Sequence, residues 1–276
     1  MMDLEKARKH LNEIVNSDKK LGLGGDTYAM AFKAFNWQVI RELDLNINEV
    51  HNAFHAAMFV FGIQCLMIFF IGTMIFSADF MIVLPSTLSV MGARFICTIL
   101  MHLQVEGDMR QGLRMMKFVT NHPKDFSNPG SAFFVALMQC FGGLFAEIAC
   151  ILFLGSIDKA IDVIIKFVAL ASIAKVDDFY ASALPADGNK IKKGTKPLLI
   201  TVHKRDWANA DRREDAGLAE KEGHELLESG VNHKIGRFIY KSFRIVYGSF
   251  LFYFLPYASI WIPYVAEMAR INAAGL

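Results

Sequence analysis

The chain has 276 residues, of which 54% are hydrophobic and 12% aromatic, and its formal net charge is +2. Soluble domains usually keep their apolar share to roughly 45–50%, so composition argues against a water-soluble globule, and the near-neutral charge argues against an electrostatic nucleic-acid binder. The expected solvent is a bilayer. The expected fold is all-α: a polytopic membrane protein with five, alternatively four, transmembrane helices and amphipathic cytoplasmic helices.

Residues 1–50 read as a cytoplasmic amphipathic helical region. Its start, MMDLEKARKHLNEIVNSDKK, lacks the apolar core of a secretory signal and carries too many acids for a transit peptide, so targeting is expected to rest on the first span. LGLGGD at 21–26 has no strand before it and no GK[ST] after it, and reads as a turn rather than a phosphate cradle. In 28–50, apolar residues recur at helical spacing around Trp37, as in a helix lying along lipid headgroups.

The membrane domain is expected over 51–184. A crossing helix needs about 20 mainly apolar residues. Residues 56–76 and 80–103 meet that test, and with only Ser-Ala-Asp between them they are expected to form a tight helical hairpin over 56–103. Residues 132–154 give the third span. Residues 158–180 are amphipathic, with Asp158, Asp162, Lys166, Asp177 and Tyr180 on one side of a helix. Such a segment either crosses with its polar stripe facing other helices or lies in the interface. Lys/Arg-rich stretches occur before the first span, between 104 and 131, and in the polar loop 185–238. All three can lie on the cytoplasmic side only if 158–180 crosses, which favours five crossings.

Within the loop, KPLLITVHKRDW suits a short strand and NADRREDAGLAEKEGHELLE a charged helix. The last, aromatic-rich transmembrane helix is expected over 239–270, with a short outer tail at 271–276.

Ionisable residues inside spans require a partner or a watery cavity. Arg94, Glu147, Asp162 and Lys166 fall at comparable depth and could form a charge-balanced cluster, serving either as an ion or proton pathway or as a network that fixes helix packing. Gly142, Gly143, Ala146 and Cys150 make a small-residue strip that admits another helix, from this chain or a second copy. Tyr240, Tyr247, Tyr257, Trp261 and Tyr264 are candidate interface anchors. His51, His55 and His102 fall near the expected cytoplasmic ends of the first two spans and read as interfacial histidines. Their HxxxH spacing lacks the further ligands that a haem or metal requires. Cys65, Cys97, Cys140 and Cys150 lie in apolar stretches and read as buried free thiols. No catalytic residue, cofactor or metal site is expected.

RQGLRMMKFVTNHP (110–123), KFVALASIAKVDDFYASAL (166–184) and FRIVYGSFLFYFLPY (243–257) resemble segments of a loosely defined group of uncharacterised multi-spanning membrane proteins from ciliates and related protists. That resemblance implies membrane embedding and supplies no ligand or mechanism. Two functions are expected. The first is a non-enzymatic structural membrane component that binds lipid and self-associates into a homo-oligomer or array. The alternative is an ion channel or transporter with a buried polar pathway.

Overall fold

The computed structural model describes residues 19–77, 80–184, 190–193, 200–202 and 231–273. The expected charged helix of the polar loop lies outside them. Short helices α1 (Thr27–Ala34) and α2 (Trp37–Glu42) lead into α3 (Ile47–Ile75), α4 (Leu88–Asn121) and α5 (Pro129–Leu154). Then follow α6 (Ala160–Ala174), α7 (Val176–Ala183) and the single turn α8 (Lys190–Lys193). The last limb is α9 (Val231–Val246), a wider π-type turn at Tyr247–Leu251, and α10 (Phe252–Ala273). One small antiparallel pair, β1 (Lys19–Leu21) with β2 (Ile200–Val202), matches Lys20 to Thr201 and uses part of the expected loop strand.

Local sequence sets the helix starts. Asn46 accepts from the Glu49 amide while the Glu49 carboxylate accepts from the Asn46 amide, a reciprocal cap for α3. Thr87 caps α4, and Asn128 caps α5, whose first residue is Pro129. Four helical stretches among the described residues are long and apolar enough to cross a membrane: Ile47–Ile75, Leu88–Thr120, Pro129–Leu154 and Ile235–Ala273. This all-α architecture has the alternative, four-span count.

The expected fifth span is replaced by two short helices. α6 has 15 residues, about 22 Å at 1.5 Å per residue, and the helix breaks at Lys175. Asp177 and Asp178 fall in the first turn of α7, where acids favour a new helix start over continuation. The α6–α7 limb still carries the chain back along the bundle. It runs parallel to α4, with Arg94 bonded to Ile157, Gln104 to Ala171 and Asp108 to Lys175.

α5 is the centre. It is apolar on all sides and packs on α1, α3, α4, α6 and α10, as such a helix must. α4 runs antiparallel to it. At their closest approach a β-carbon on Gly112 would lie 2.5 Å from Cys140 Sγ and 3.0 Å from the Ala136 carbonyl. The last limb is antiparallel to α4, with Gly236 against Thr120, Phe252 against His102 and Tyr257 against Phe95.

Two further expectations are corrected. Residues 80–87 are not helical, so no tight hairpin forms. Pro85 disfavours a helical residue before it, and the stretch is held by Val83 N donating to the Gly155 carbonyl. α4 consequently begins at Leu88 and runs past its expected end, with Glu106 and Arg110 paired across one turn of its surface. α1 does not lie along headgroups either. All its residues are buried, and Phe32 meets Phe126 edge-on while Ser127 N donates to the Phe35 carbonyl.

Candidate functional site

The helices place polar side chains along the bundle interior at three levels. At the end marked by α6's start, the Arg94 guanidinium is buried. It donates from Nε (3.2 Å) and Nη2 (2.9 Å) to the Ile157 carbonyl and from Nη1 (2.8 Å) to the Val83 carbonyl. Ile157 lies just past the C-terminus of α5, where unpaired carbonyls favour a cation. The neighbouring acid, Asp158, accepts from the Ser86 amide at 2.9 Å, which keeps its carboxyl below the ordinary value.

Eight residues along α4, about 12 Å, is the middle level. Here Glu147, fully buried on α5, faces His102 on α4, with Oε1 and Nδ1 2.7 Å apart. An ionised carboxylate only accepts, so in that state Nδ1 carries the shared proton. His102 Nε2 and Glu147 Oε2 have no hydrogen-bond partner among the described residues. Neither does the buried hydroxyl of Tyr247, which lies within electrostatic reach of Glu147. Phe252 covers the imidazole at 5.2 Å between ring centres, and the π-type turn lies immediately before it. Turns of this kind occur often at functional sites.

The third level, at the α1 end, is a belt of amides, acids and lysines. Gln111 on α4 accepts from Gly24 N (2.9 Å) and donates to Asp26 Oδ2 (2.6 Å), and Gln139 Oε1 lies 3.4 Å from its amide nitrogen. Asp26 Oδ1 caps α1 through the Ala29 amide. Tyr28 Oη donates to Gln64 Oε1 at 2.5 Å, and Gln64 Nε2 donates to the Ile173 carbonyl, joining α1, α3 and α6. Lys33 is buried with Nζ on the Gly24 carbonyl at 3.0 Å, and burial holds its ammonium below the ordinary value against the opposing pull of Asp26. Lys175 pairs with Asp108 (3.5 Å) and Asp178 (3.1 Å).

The expected cluster of Arg94, Glu147, Asp162 and Lys166 is not assembled. Glu147 finds His102 on the facing turn, and Arg94 finds carbonyls. Lys166 is exposed, with Nζ 5.2 Å from the Phe153 ring centre, and Asp162 has no ion-pair partner among the described residues. The expected placing of His102 at an interface is also corrected: it is buried mid-helix. His51 and His55 are exposed.

The small-residue strip packs inside this chain. A β-carbon on Gly142 would lie 2.7 Å from Gln64 Oε1 and one on Gly143 3.1 Å from Val105 Cγ1, while Ala146 and Cys150 are buried. Of the candidate anchors, Tyr257, Trp261 and Tyr264 are exposed and Tyr240 is half-buried. Tyr247 is the exception, since it turns into the bundle beside the His102–Glu147 pair.

Sequence reasoning missed the α1-end belt altogether. Its members lie far apart in the chain, and Asp26, Gln111 and Gln139 carry no local signal of shared burial. No family model matches the chain, and neither the curated proteins nor the solved structures compared with it contain a match.

Proposed function

We propose that this is a non-enzymatic integral membrane protein that carries protons through its bundle, with His102 and Glu147 as the exchange site. The buried pair carries the reading: an acid and a base 2.7 Å apart in the interior, each with its second heteroatom unpartnered among the described residues. Ionisable groups are costly in a membrane interior and concentrate on ion and proton routes. A proton taken up at His102 Nε2 is matched by release of the Nδ1 proton to Glu147 Oε1. The carboxyl then turns, carries that proton to the far side and loses it there, and a flip of the imidazole returns its N–H to the shared contact. Phe252 and the adjoining turn of the last helix control access.

The test is proton uptake by sealed vesicles containing the purified protein, driven by a potassium diffusion potential and read with an internal pH dye. Wild type is expected to acidify the lumen faster than lipid alone. Glu147→Gln, which keeps the shape, is expected to lower the rate at least about tenfold, since general acid–base groups commonly contribute 10²–10⁴. Wild-type vesicles as tight as lipid alone, at either sign of potential, would overturn the reading.

One observation favours the structural alternative. Tyr253, Phe254, Tyr257, Trp261 and Tyr264 leave an exposed aromatic face on α10, and a largely apolar groove of about 390 Å³ lies between that helix and α5. That face supports lipid contact or self-association into a homo-oligomer. With the small-residue strip already used inside the chain, association would run through α10. Mass measurement in lipid nanodiscs, comparing wild type with a Trp261→Ala/Tyr257→Ala double variant, tests it; a monomeric wild type would exclude it.

A further inference from the structure

Asp177 is the second residue of α7, in its first turn after the break at Lys175, outside the four spanning helices. It is 2% exposed, and its Oδ1 has no hydrogen-bond partner among the described residues. The groups around it are mostly acidic. Asp26 in the loop before α1, Asp108 on α4, and Asp178 and Lys175 on its own limb lie within electrostatic reach of it. Tyr28 of α1 shares the field of Asp177, Asp26 and Asp108, with Cys65 of α3 beside it.

The available cations are committed elsewhere. Lys175 holds Asp108 and Asp178, and Lys33 donates to the Gly24 carbonyl. Asp26 is satisfied by the Ala29 amide and Gln111. Asp177 alone among these four carboxyls is both deeply buried and left, among the described residues, with an unpartnered oxygen, in the field of three others of its own sign. A carboxylate so placed is costly, and the cost is removed by neutralisation. Its segment is also fastened: Thr27 Oγ1 donates to the Asp177 carbonyl at 2.7 Å, and Gln64 grips the Ile173 carbonyl in the preceding turn.

We propose that Asp177 is a proton-binding site that loads the route from the α1 end, as a second station before His102 and Glu147. The loading role rests on the transport reading above. The step is simple: the carboxylate takes a proton from water to become the acid, and no other bond changes. Burial, with Asp26, Asp108 and Asp178 adding to it against Lys175, pushes the carboxyl up to about 8, which puts exchange in the neutral range. Sodium or potassium would neutralise the same charge and is the competing occupant.

The experiment uses the whole chain in lipid nanodiscs and reads the infrared C=O stretch of protonated carboxyl groups between pH 6 and pH 10, with and without added sodium or potassium. Asp177→Asn is isosteric with the acid form and is expected to fold; carbon-13 labelling of aspartate in wild type assigns the band independently. The expected result is an aspartate band at pH 6 that fades with a midpoint near 8, is insensitive to either cation, and is missing from Asp177→Asn. Vesicle uptake at pH 7 is expected to fall at least about tenfold in that variant. No such band at pH 6 overturns the site, and a band that disappears on adding sodium or potassium assigns it to the metal ion instead. Unchanged uptake in Asp177→Asn overturns the loading role while the transport reading stands. No uptake by wild type overturns transport and, with it, the loading role.

Discussion

At Gly112 the backbones of α4 and α5 approach so closely that any side chain must displace Cys140 or the Ala136 carbonyl. Gly112→Ala is expected to cost about 1–3 kcal/mol, the usual range for overpacking, read as a lower midpoint of unfolding in mixed detergent. Gly62, with nothing within 4 Å of its β-carbon position, is the control, and its alanine variant is expected to keep the wild-type midpoint. Arg94→Met leaves the Ile157 and Val83 carbonyls without their donors. A loss of about 1–3 kcal/mol per orphaned group is expected, with Arg94→Lys between Met and wild type.

Asp177 gives a pH dependence with a definite sign. Its folded-state pKa of about 8 lies above the ordinary carboxyl value of 3.8, so the folded state keeps a proton that the unfolded state gives up. The Asp177 contribution to stability is therefore highest below pH 4, declines as the pH rises, and is fully lost above pH 8. Asp177→Asn is expected to flatten that decline in thermal melts. A variant profile parallel to wild type would show that Asp177 is not the group responsible.

At the scale of elements, the last limb depends on its π-type turn. Gly248 lies within Tyr247–Leu251, and nothing approaches its β-carbon position. Deleting Gly248 removes the extra residue that the wide turn takes up, so the stretch closes to ordinary α-helix and the parts before and after it keep nearly the same relative facing. Phe243 on Phe141 and Phe252 on His102 are then both kept, and Tyr247, inside the turn, is re-aimed. The deletion is expected to keep the thermal stability of Gly248→Ala while lowering vesicle proton uptake, because Tyr247 leaves the His102–Glu147 pair; uptake equal to that of Gly248→Ala would contradict the role given to the turn.

The four long spans were legible because a continuous apolar run has few other stable states. Pro85 puts the start of α4 at Leu88 rather than 80, and the helix continues to Asn121, so His102 falls in its middle and not at an end. Glu147 and Arg94 were legible as ionisable groups in apolar runs, but their partners were not. A side chain's partner is set by which turn faces it, and the sequence of one helix does not contain that. The burial of α1 is hidden in its sequence for a related reason. Its eight residues look amphipathic alone, yet Tyr28 and the capping Asp26 find polar partners on α3 and α4, Lys33 turns back to the Gly24 carbonyl, and the whole helix is buried.

For the molecule as a whole, large apolar side chains cover the outside and polar ones line the inside. Phe69 and Phe70 on α3, Leu100 on α4 and Phe254 on α10 are exposed, while Arg94, His102, Gln139 and Glu147 are buried. An outer apolar surface of this extent suits lipid and would aggregate in water. The most direct measurement of that claim uses nitroxide spin labels at Phe69, Leu100 and Phe254 in the protein reconstituted into bilayers, with collision rates for oxygen and for a water-soluble nickel chelate. Oxygen is expected to reach all three sites freely and the chelate scarcely at all. Chelate collisions as frequent as those of a label in water would contradict a bundle whose outer face lies in hydrocarbon.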